Sequence, residues 1–154
     1  MAYEVPRAVV DAFYQAYAAR DVDRIAKYLA DDVAWTISGP VDYLRFCGMH
    51  RGKAAVLDLI KRQVPEVLRV FSFVPEAILV DGDQAAMLSR QSSRRAVDRR
   101  VISYRVANFM RFRDGKVFEN LSLLDSFDAV EQVLGHPLAA HDGQMAGQGN
   151  LVAV

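Results

Sequence analysis

Cysteine, net charge and long hydrophobic runs are all scarce in this 154-residue sequence. Its single cysteine, Cys47, excludes an internal disulfide and a cysteine metal cluster. The 19 basic and 19 acidic residues balance, so no charge excess favours a nucleic acid or an anionic membrane surface as partner. No apolar run approaches the roughly 20 residues that cross a bilayer, and the N-terminus lacks the basic start of a secretory signal. We therefore expect a cytoplasmic protein without nucleic-acid or membrane partners.

What the sequence does contain is enough apolar material for a sizeable core. Hydrophobic residues make up 52% and charged residues 25%, which is typical of a soluble globular domain. We expect one domain over residues 5–134, followed by a tail over residues 135–154 that is rich in Gly, Ala and Gln. No three metal-type ligands recur at useful spacing, so we expect no metal and no cofactor.

Helical periodicity comes first along the chain. Apolar residues recur at helical spacing over residues 6–19, and Pro6 suits a first helical position. Shorter amphipathic stretches predict helices over residues 22–30 and 52–64, the last ended or bent by Pro65. A long loop is expected over residues 38–51.

Strand patterns dominate the rest. The predicted strands are residues 33–37, 69–74, 76–80, 84–92, 101–113 and 116–124. Asp114-Gly115 between apolar runs is a strong hairpin signal, and Ser126 predicts the N-cap of a last helix over residues 127–134. Helices followed by strands predict an α+β fold, in which three N-terminal helices pack over the concave side of a curved antiparallel or mixed sheet. The mouth of such a cone suits a small molecule.

The order of these elements resembles the nuclear-transport-factor-two-like (NTF2-like) superfamily, and within it the SnoaL-like polyketide-cyclase branch. The residues that carry the resemblance are Asp21 to Ile25, Leu29 to Val33, Trp35, Arg51-Gly52 and Phe112 to Val117. It covers roughly residues 5–134 and implies a cone-shaped α+β barrel that dimerises through the outer face of its sheet. Members include catalysts and binders, so the fold alone does not fix the function.

The catalytic residues of known branches are mostly missing. Ketosteroid isomerases use a tyrosine, a carboxylate base and a protonated aspartic acid, and these positions fall on Phe13, Ile37 and Asn108. The carboxylates of epoxide hydrolases are absent as well: the last-strand aspartate falls on Ser122, and only the arginine of their Arg-x-Asp is retained, as Arg90. Without a base, neither mechanism is expected.

The final strand of polyketide cyclases resembles residues 115–125 of this chain. The family histidine is replaced by Asn120 and the inner aspartate by Ser122, whereas Glu119 and Asp125 stay. In this chain, neutral amides and a hydroxyl therefore stand where the family has groups that titrate.

Strand alternation predicts which side chains share the pocket. Residues of equal parity share a face, so Phe118, Asn120 and Ser122 are expected to face inward with Asn108 and Met110. A buried Asn or Ser needs a partner, which is either a ligand or a satisfied internal network. Trp35 is expected in the pocket or the core, and Tyr14 and Tyr17 mainly in the core with hydroxyls that can reach the pocket. The predicted ligand-binding set is Tyr14, Tyr17, Trp35, Arg90, Asn108, Met110, Phe118, Asn120 and Ser122.

Three residues are candidates for moving a proton. Asp42 and His50 lie in the long loop that edges the mouth in the family, and histidine is a common general acid or base in catalysis. Asp125 has the opposite parity from Ser122, which predicts the outer, dimer-facing side.

Two functions stay open. The first is a cofactor-independent isomerase, cyclase or dehydratase that acts on a hydrophobic carbonyl- or hydroxyl-bearing molecule. The second is a non-catalytic ligand-binding or dimeric accessory domain that has lost the acid-base groups. An inward-facing carboxylate or histidine within hydrogen-bond reach of Asn108 or Asn120 would favour the enzyme.

Overall fold

The computed structural model describes residues 2–138. The helices are α1 (Arg7–Ala18), α2 (Val22–Lys27), α3 (Lys53–Asp58), α4 (Val64–Val67) and α5 (Ser126–Leu134), and a π-helical turn, Leu59–Gln63, joins α3 to α4. The strands are β1 (Leu29–Ser38), β2 (Gly48–Arg51), β3 (Leu68–Asp81), β4 (Gln84–Arg95), β5 (Val101–Arg113) and β6 (Lys116–Leu124). Within the described residues, the helices fall short of the length and apolar character that a membrane crossing requires. The predicted tail reaches beyond residue 138 and its His141 lies outside the described residues.

The strands form one six-stranded sheet in the order β2-β1-β6-β5-β4-β3. Neighbours are antiparallel except for β1 and β6, which run parallel. The sheet is therefore mixed and unclosed, and its last four strands follow one another without an intervening helix. This confirms the predicted α+β class.

The sheet curves tightly around α1. Tyr17 on this helix stacks on Trp35 of β1, with ring centroids 6.1 Å apart, and meets Phe73 of β3 edge-on at 5.6 Å. In a flat sheet β1 and β3 would lie about 19 Å apart, four strand spacings. β-Bulges in β3, which bend a strand and increase its twist, contribute to the curvature.

Several boundaries differ from the sequence prediction. β1 begins at Leu29, directly after α2, and the predicted loop over residues 38–51 contains the short edge strand β2. The two strands expected on either side of Pro75 are one 14-residue strand, because bulges absorb the proline. Pro65 does not end the helical segment, which continues to Val67: Pro65 follows the π-helical turn and lies at the start of α4.

Candidate functional site

Buried polar side chains occupy the concave face of the sheet. Alternation along β4, β5 and β6 turns six of them inward, all at most 5% exposed: Ser89, Gln91, Ser93, Asn108, Asn120 and Ser122. The ladder places Ser122 directly beside Asn108 and between β5 and Ile37 of β1. One row further along, Asn120 lies between Trp35 and Met110. The strand parity expected for Asn108, Asn120 and Ser122 is thus observed.

Ser122 is the hub of a three-residue group, the amide trio of Asn108, Asn120 and Ser122. The Nδ2 group of Asn108 donates to Ser122 Oγ at 2.7 Å, and that of Asn120 donates to the same oxygen at 2.9 Å. The Oδ1 atoms of both asparagines are buried without a partner in the described residues. An unpartnered buried polar group costs about 1–3 kcal/mol. The trio therefore presents two amide oxygens that lack donors.

The Tyr14 hydroxyl is a third buried polar atom without a partner in the described part of the chain. Burial raises the pKa of Tyr14 well above its usual value, and the neighbouring Tyr17 adds to the shift. Tyr14 consequently stays protonated at physiological pH and can donate a hydrogen bond. Its hydroxyl is neutral, so it cannot act as a base.

An aromatic layer packs α1 onto the concave face. Phe13 lies 6.4 Å from Trp35 and 6.0 Å from Tyr17, measured between ring centroids. Trp35 is only 1% exposed, whereas Tyr17 is half-buried. Trp35 and Tyr17 therefore belong to the core and also border the buried polar side chains of the concave face. The sequence prediction allowed this location.

A second polar pair lies further along β4 and β5. Ser93 Oγ and the Tyr104 hydroxyl are 3.1 Å apart, and burial raises the pKa of Tyr104 although the Ser93 hydrogen bond opposes the shift. The ladder places Gln91 directly beside Tyr104. Sequence reasoning missed Ser89, Gln91, Ser93 and Tyr104. Continuing the alternation along β5 from Asn108 would have found Tyr104, whereas the three residues of β4 required the register that only the structure gives.

The predicted ligand role of Arg90 is wrong. Its side chain points to the outer face, with its Nε 3.4 Å from Glu76 Oε1 in an ion pair. Asn108 pairs with Met87, so the inward residues of β4 are Met87, Ser89 and Gln91. The prediction was off by one residue because the register of β4 was not known.

The predicted pocket position of Phe118 is also wrong. Arg111 pairs with Glu119 and Phe112 with Val117, so Phe118 is the extra residue of a β-bulge. Its ring contacts the guanidinium groups of Arg111 and Arg113 on the outer face, at 5.2 and 5.0 Å from the centroid. The bulge reverses the alternation at this point.

Of the three proton-transfer candidates, two lie away from the amide trio. Asp42 is exposed in the loop after β1. Asp125 is exposed and caps α5 by accepting from the backbone N–H of Asp128. Neither carboxylate is positioned to act within the concave face.

His50 lies on the concave side of the edge strand β2, directly opposite Trp35. It is half-buried, and its Nε2 is 3.1 Å from the Phe46 carbonyl oxygen. Trp35 separates His50 from Asn120, a distance of two strand spacings or about 10 Å. His50 is therefore beyond hydrogen-bond reach of the amide trio. Among residues 2–138, His, Cys, Asp and Glu form no group of three that could hold a metal ion.

Comparisons with known proteins agree with this architecture. A protein from Rhodopseudomonas palustris described as a candidate isomerase is 35% identical, with a TM-score of 0.72 over 82% of this chain and 93% of that chain. An NTF2-like protein of unknown function from Burkholderia pseudomallei is 21% identical, with a TM-score of 0.71 over 86% and 96% of the two chains. An epoxide hydrolase of the LEH-like type from M. tuberculosis is 18% identical, with a TM-score of 0.66 over 83% and 88%.

A search of curated proteins finds no significant match. The SnoaL-like domain family, in contrast, matches residues 10–120. This match covers most of the chain, and it confirms the resemblance seen in the sequence. The chain belongs to the SnoaL-like domain family.

Proposed function

We propose that this protein binds a hydrophobic small molecule bearing a hydroxyl or carbonyl group against the concave face of its sheet. The observation that carries the proposal is the amide trio, whose two Oδ1 atoms are buried without partners among residues 2–138. A ligand hydroxyl would supply the missing donor. Trp35, Met110 and Ile37, which flank the trio in the ladder, would contact its apolar part.

The trio suits both hydroxyl and carbonyl ligands. A hydroxyl offers one donor and two acceptors, and Ser122 Oγ uses its acceptor capacity on the two asparagines. Turning one amide by 180° would let Ser122 donate to that Oδ1 and would direct an NH₂ group at a ligand carbonyl. The same three residues can thus accept from a hydroxyl or donate to a carbonyl.

Calorimetric titration with two probes tests the proposal. 2-Naphthol carries a flat apolar body and a hydroxyl, and 2-methoxynaphthalene has the same body without the donor. We expect 2-naphthol to bind the wild-type protein more tightly, and Asn108→Leu to weaken it about tenfold, the value of one hydrogen bond. Gln84→Leu, which changes an exposed amide on β4, is the matched control. Equal affinity of Asn108→Leu for 2-naphthol would sink the proposal.

An isomerase is the second candidate function, and the 35% identical relative described as a candidate isomerase supports it. Tyr14 could stabilise an enolate-like state by donating a hydrogen bond, and His50 would have to move the proton. Cyclohex-3-en-1-one, which gains ultraviolet absorbance on conjugation, is a suitable probe. Acceleration by wild-type protein that is lost in His50→Gln would favour the enzyme, and no acceleration would favour the binder.

A homodimer through the outer sheet face is the proposed assembly. The ladder aligns Leu79, Ala86, Phe109 and Leu121 in one row of that face, which we call the apolar belt together with Leu88 and Leu123 of the next row. Leu79 is 70% and Phe109 52% exposed. Contiguous exposed apolar surface of this kind marks interaction sites, and a second copy placed face to face would cover it. The cytoplasmic location stays a prediction from the sequence.

A further inference from the structure

Arg20 ends α1 in a backbone conformation that usually selects glycine. Its φ is +54°. The N–H of Arg20 donates to the Tyr17 carbonyl and that of Asp21 to the Ala16 carbonyl, both at 3.1 Å. This pattern is a Schellman motif with Arg20 at its left-handed position, where glycine is the commonest residue. Glycine would avoid the steric cost that a side chain bears in this conformation.

The side chain of Arg20 turns back onto the protein. Its guanidinium carbon lies 4.6 Å from the centroid of the Tyr17 ring, and its Nε is buried without a partner in the described residues. Within residues 2–138, the side chain makes neither a hydrogen bond nor an ion pair. Stacking on Tyr17 fixes the orientation of the guanidinium and leaves its hydrogen bonds unmade.

Arg20 borders a recess of about 220 Å³ between α1, the π-helical turn and the start of β3. The recess combines apolar walls, including Val22, Ile60 and Leu68, with two further cations, Lys61 and Arg69. In the part of the chain that the structure describes, no carboxylate lies within ion-pair distance of these three cations. The nearby Asp58 and Glu66 both pair with Arg62 instead.

Arg69 lies on the edge strand of the sheet, β3, where it borders the recess. Its ladder partner Arg94 has the outward parity of Arg90, and the Arg94 guanidinium lies 5.2 Å from the centroid of the Phe71 ring. Arg94 is therefore not one of the cations of the recess.

We propose that this recess binds a small carboxylic acid with an aromatic or branched aliphatic body. Arg20 and the cations Lys61 and Arg69 would hold the carboxylate, and the apolar walls would contact the hydrocarbon part. A planar guanidinium matches the two oxygens of a carboxylate. The recess is smaller than the roughly 300–1,000 Å³ of drug-sized sites, which limits the ligand to about the size of benzoate. The site is separate from the amide trio and does not depend on the function proposed for it.

Calorimetric titration of the full chain with benzoate tests this site, with Arg20→Gly as the informative variant. Because glycine suits the left-handed position, the variant should melt at an equal or higher temperature while its benzoate affinity falls at least tenfold. Arg24→Ala removes the same charge from the exposed face of α2 and should bind benzoate like the wild type. Benzamide, which lacks the charge, should bind at least tenfold more weakly.

Four results would overturn the proposal. They are the absence of wild-type binding at millimolar benzoate, unchanged affinity in Arg20→Gly, equal affinity for benzamide, and equal affinity for inorganic phosphate, which has no apolar body. Asn108→Leu separates this site from the amide trio. Unchanged benzoate affinity in that variant supports the recess, whereas lost affinity would place benzoate at the trio and refute the recess.

Discussion

The two faces of β5 and β6 differ most in their middle rows, where the polarity is the reverse of an ordinary half-buried sheet. On the buried concave face, Asn108 and Ser122 are paired in the ladder. One residue further along each strand, Phe109 and Leu121 are paired on the exposed outer face. Sheets normally bury their apolar side and solvate their polar side. Under the proposed function, the middle row of each face suits a partner, a ligand on the concave side and a second copy on the outer side.

The consequences of the two faces differ in kind. On the concave face, the Oδ1 atoms of Asn108 and Asn120 lack hydrogen-bond partners among the described residues, which disfavours the empty protein and favours a ligand of matching polarity. The outer face lacks apolar cover, which disfavours the monomer and favours association. Stability, ligand binding and assembly are therefore expected to respond separately when either face is changed.

The largest effect is expected from Phe109→Asp. In a dimer formed through the apolar belt, this change would place unpaired carboxylates at the centre of the interface and raise the dissociation constant about 100-fold or more. Sedimentation equilibrium measures the shift. Phe127→Asp, at an exposed aromatic residue on α5, is the control and should leave the dimer intact. A wild-type protein that stays monomeric at high concentration would contradict the assembly.

Replacing the amide trio by apolar residues is expected to stabilise the fold. The triple variant Asn108→Leu, Asn120→Leu and Ser122→Ala removes the two unpartnered oxygens together with their hub. We expect the free energy of unfolding to rise by about 2 kcal/mol, measured by urea denaturation, because replacing all partners of a buried polar group avoids its desolvation cost. A fall of similar size would identify the trio as a satisfied structural network.

The two buried tyrosines, Tyr14 and Tyr104, differ in whether their hydroxyl has a hydrogen-bond partner, and this difference can be measured. Tyr104→Phe removes the hydrogen bond to Ser93 and should cost about 1 kcal/mol of unfolding free energy. Tyr14→Phe removes a hydroxyl without a partner in the described residues and should be neutral or slightly stabilising. Parallel urea curves compare them. Equal losses of unfolding free energy in the two variants would mean that the Tyr14 hydroxyl already has a hydrogen-bond partner.

The smallest effect concerns alkaline pH. Burial holds the pKa of Tyr14 above that of an unfolded tyrosine, which is about 10. The stability that Tyr14 contributes is therefore fully present below pH about 10 and is lost as the pH rises further, when only the unfolded chain ionises. Tyr14→Phe should lose less stability than wild type between neutral and strongly alkaline pH, measured by thermal unfolding. Identical pH profiles would contradict the burial effect.

Sequence reasoning succeeded where local signals fix geometry. Asp114 and Gly115 both have positive φ, as a type I′ turn requires, and this turn fixes the pairing of β5 with β6 as far as Phe112 and Val117. The alternation of β6 places Asn120 and Ser122 on one face, whereas Asn108 was assigned to that face through the family resemblance. The alternation failed at Phe118, because nothing in the local pattern marks the bulge that turns its ring outward.

The remaining errors have similar origins. Arg90 was misplaced because the register of β4 depends on the length of the connection after Arg95, which is not encoded by the alternation of β4 itself. His50 was predicted in a loop because the sequence of Gly48–Arg51 has little strand character. This segment becomes a strand only by pairing with β1. The alternation of β6 groups Asp125 with the outward-facing residues. Its observed role, capping the N-terminus of α5, depends instead on where that helix begins.

The chemical shift of the Trp35 indole tests the central claim most directly, because Trp35 is the only tryptophan and lies beside Asn120. Its single indole N–H resonance should move in a saturable way as 2-naphthol is added to ¹⁵N-labelled protein. The movement should be smaller with 2-methoxynaphthalene and absent in the Asn108→Leu, Asn120→Leu and Ser122→Ala variant. A resonance that stays fixed in the wild-type protein, or moves equally in the variant, would contradict a ligand-binding concave face.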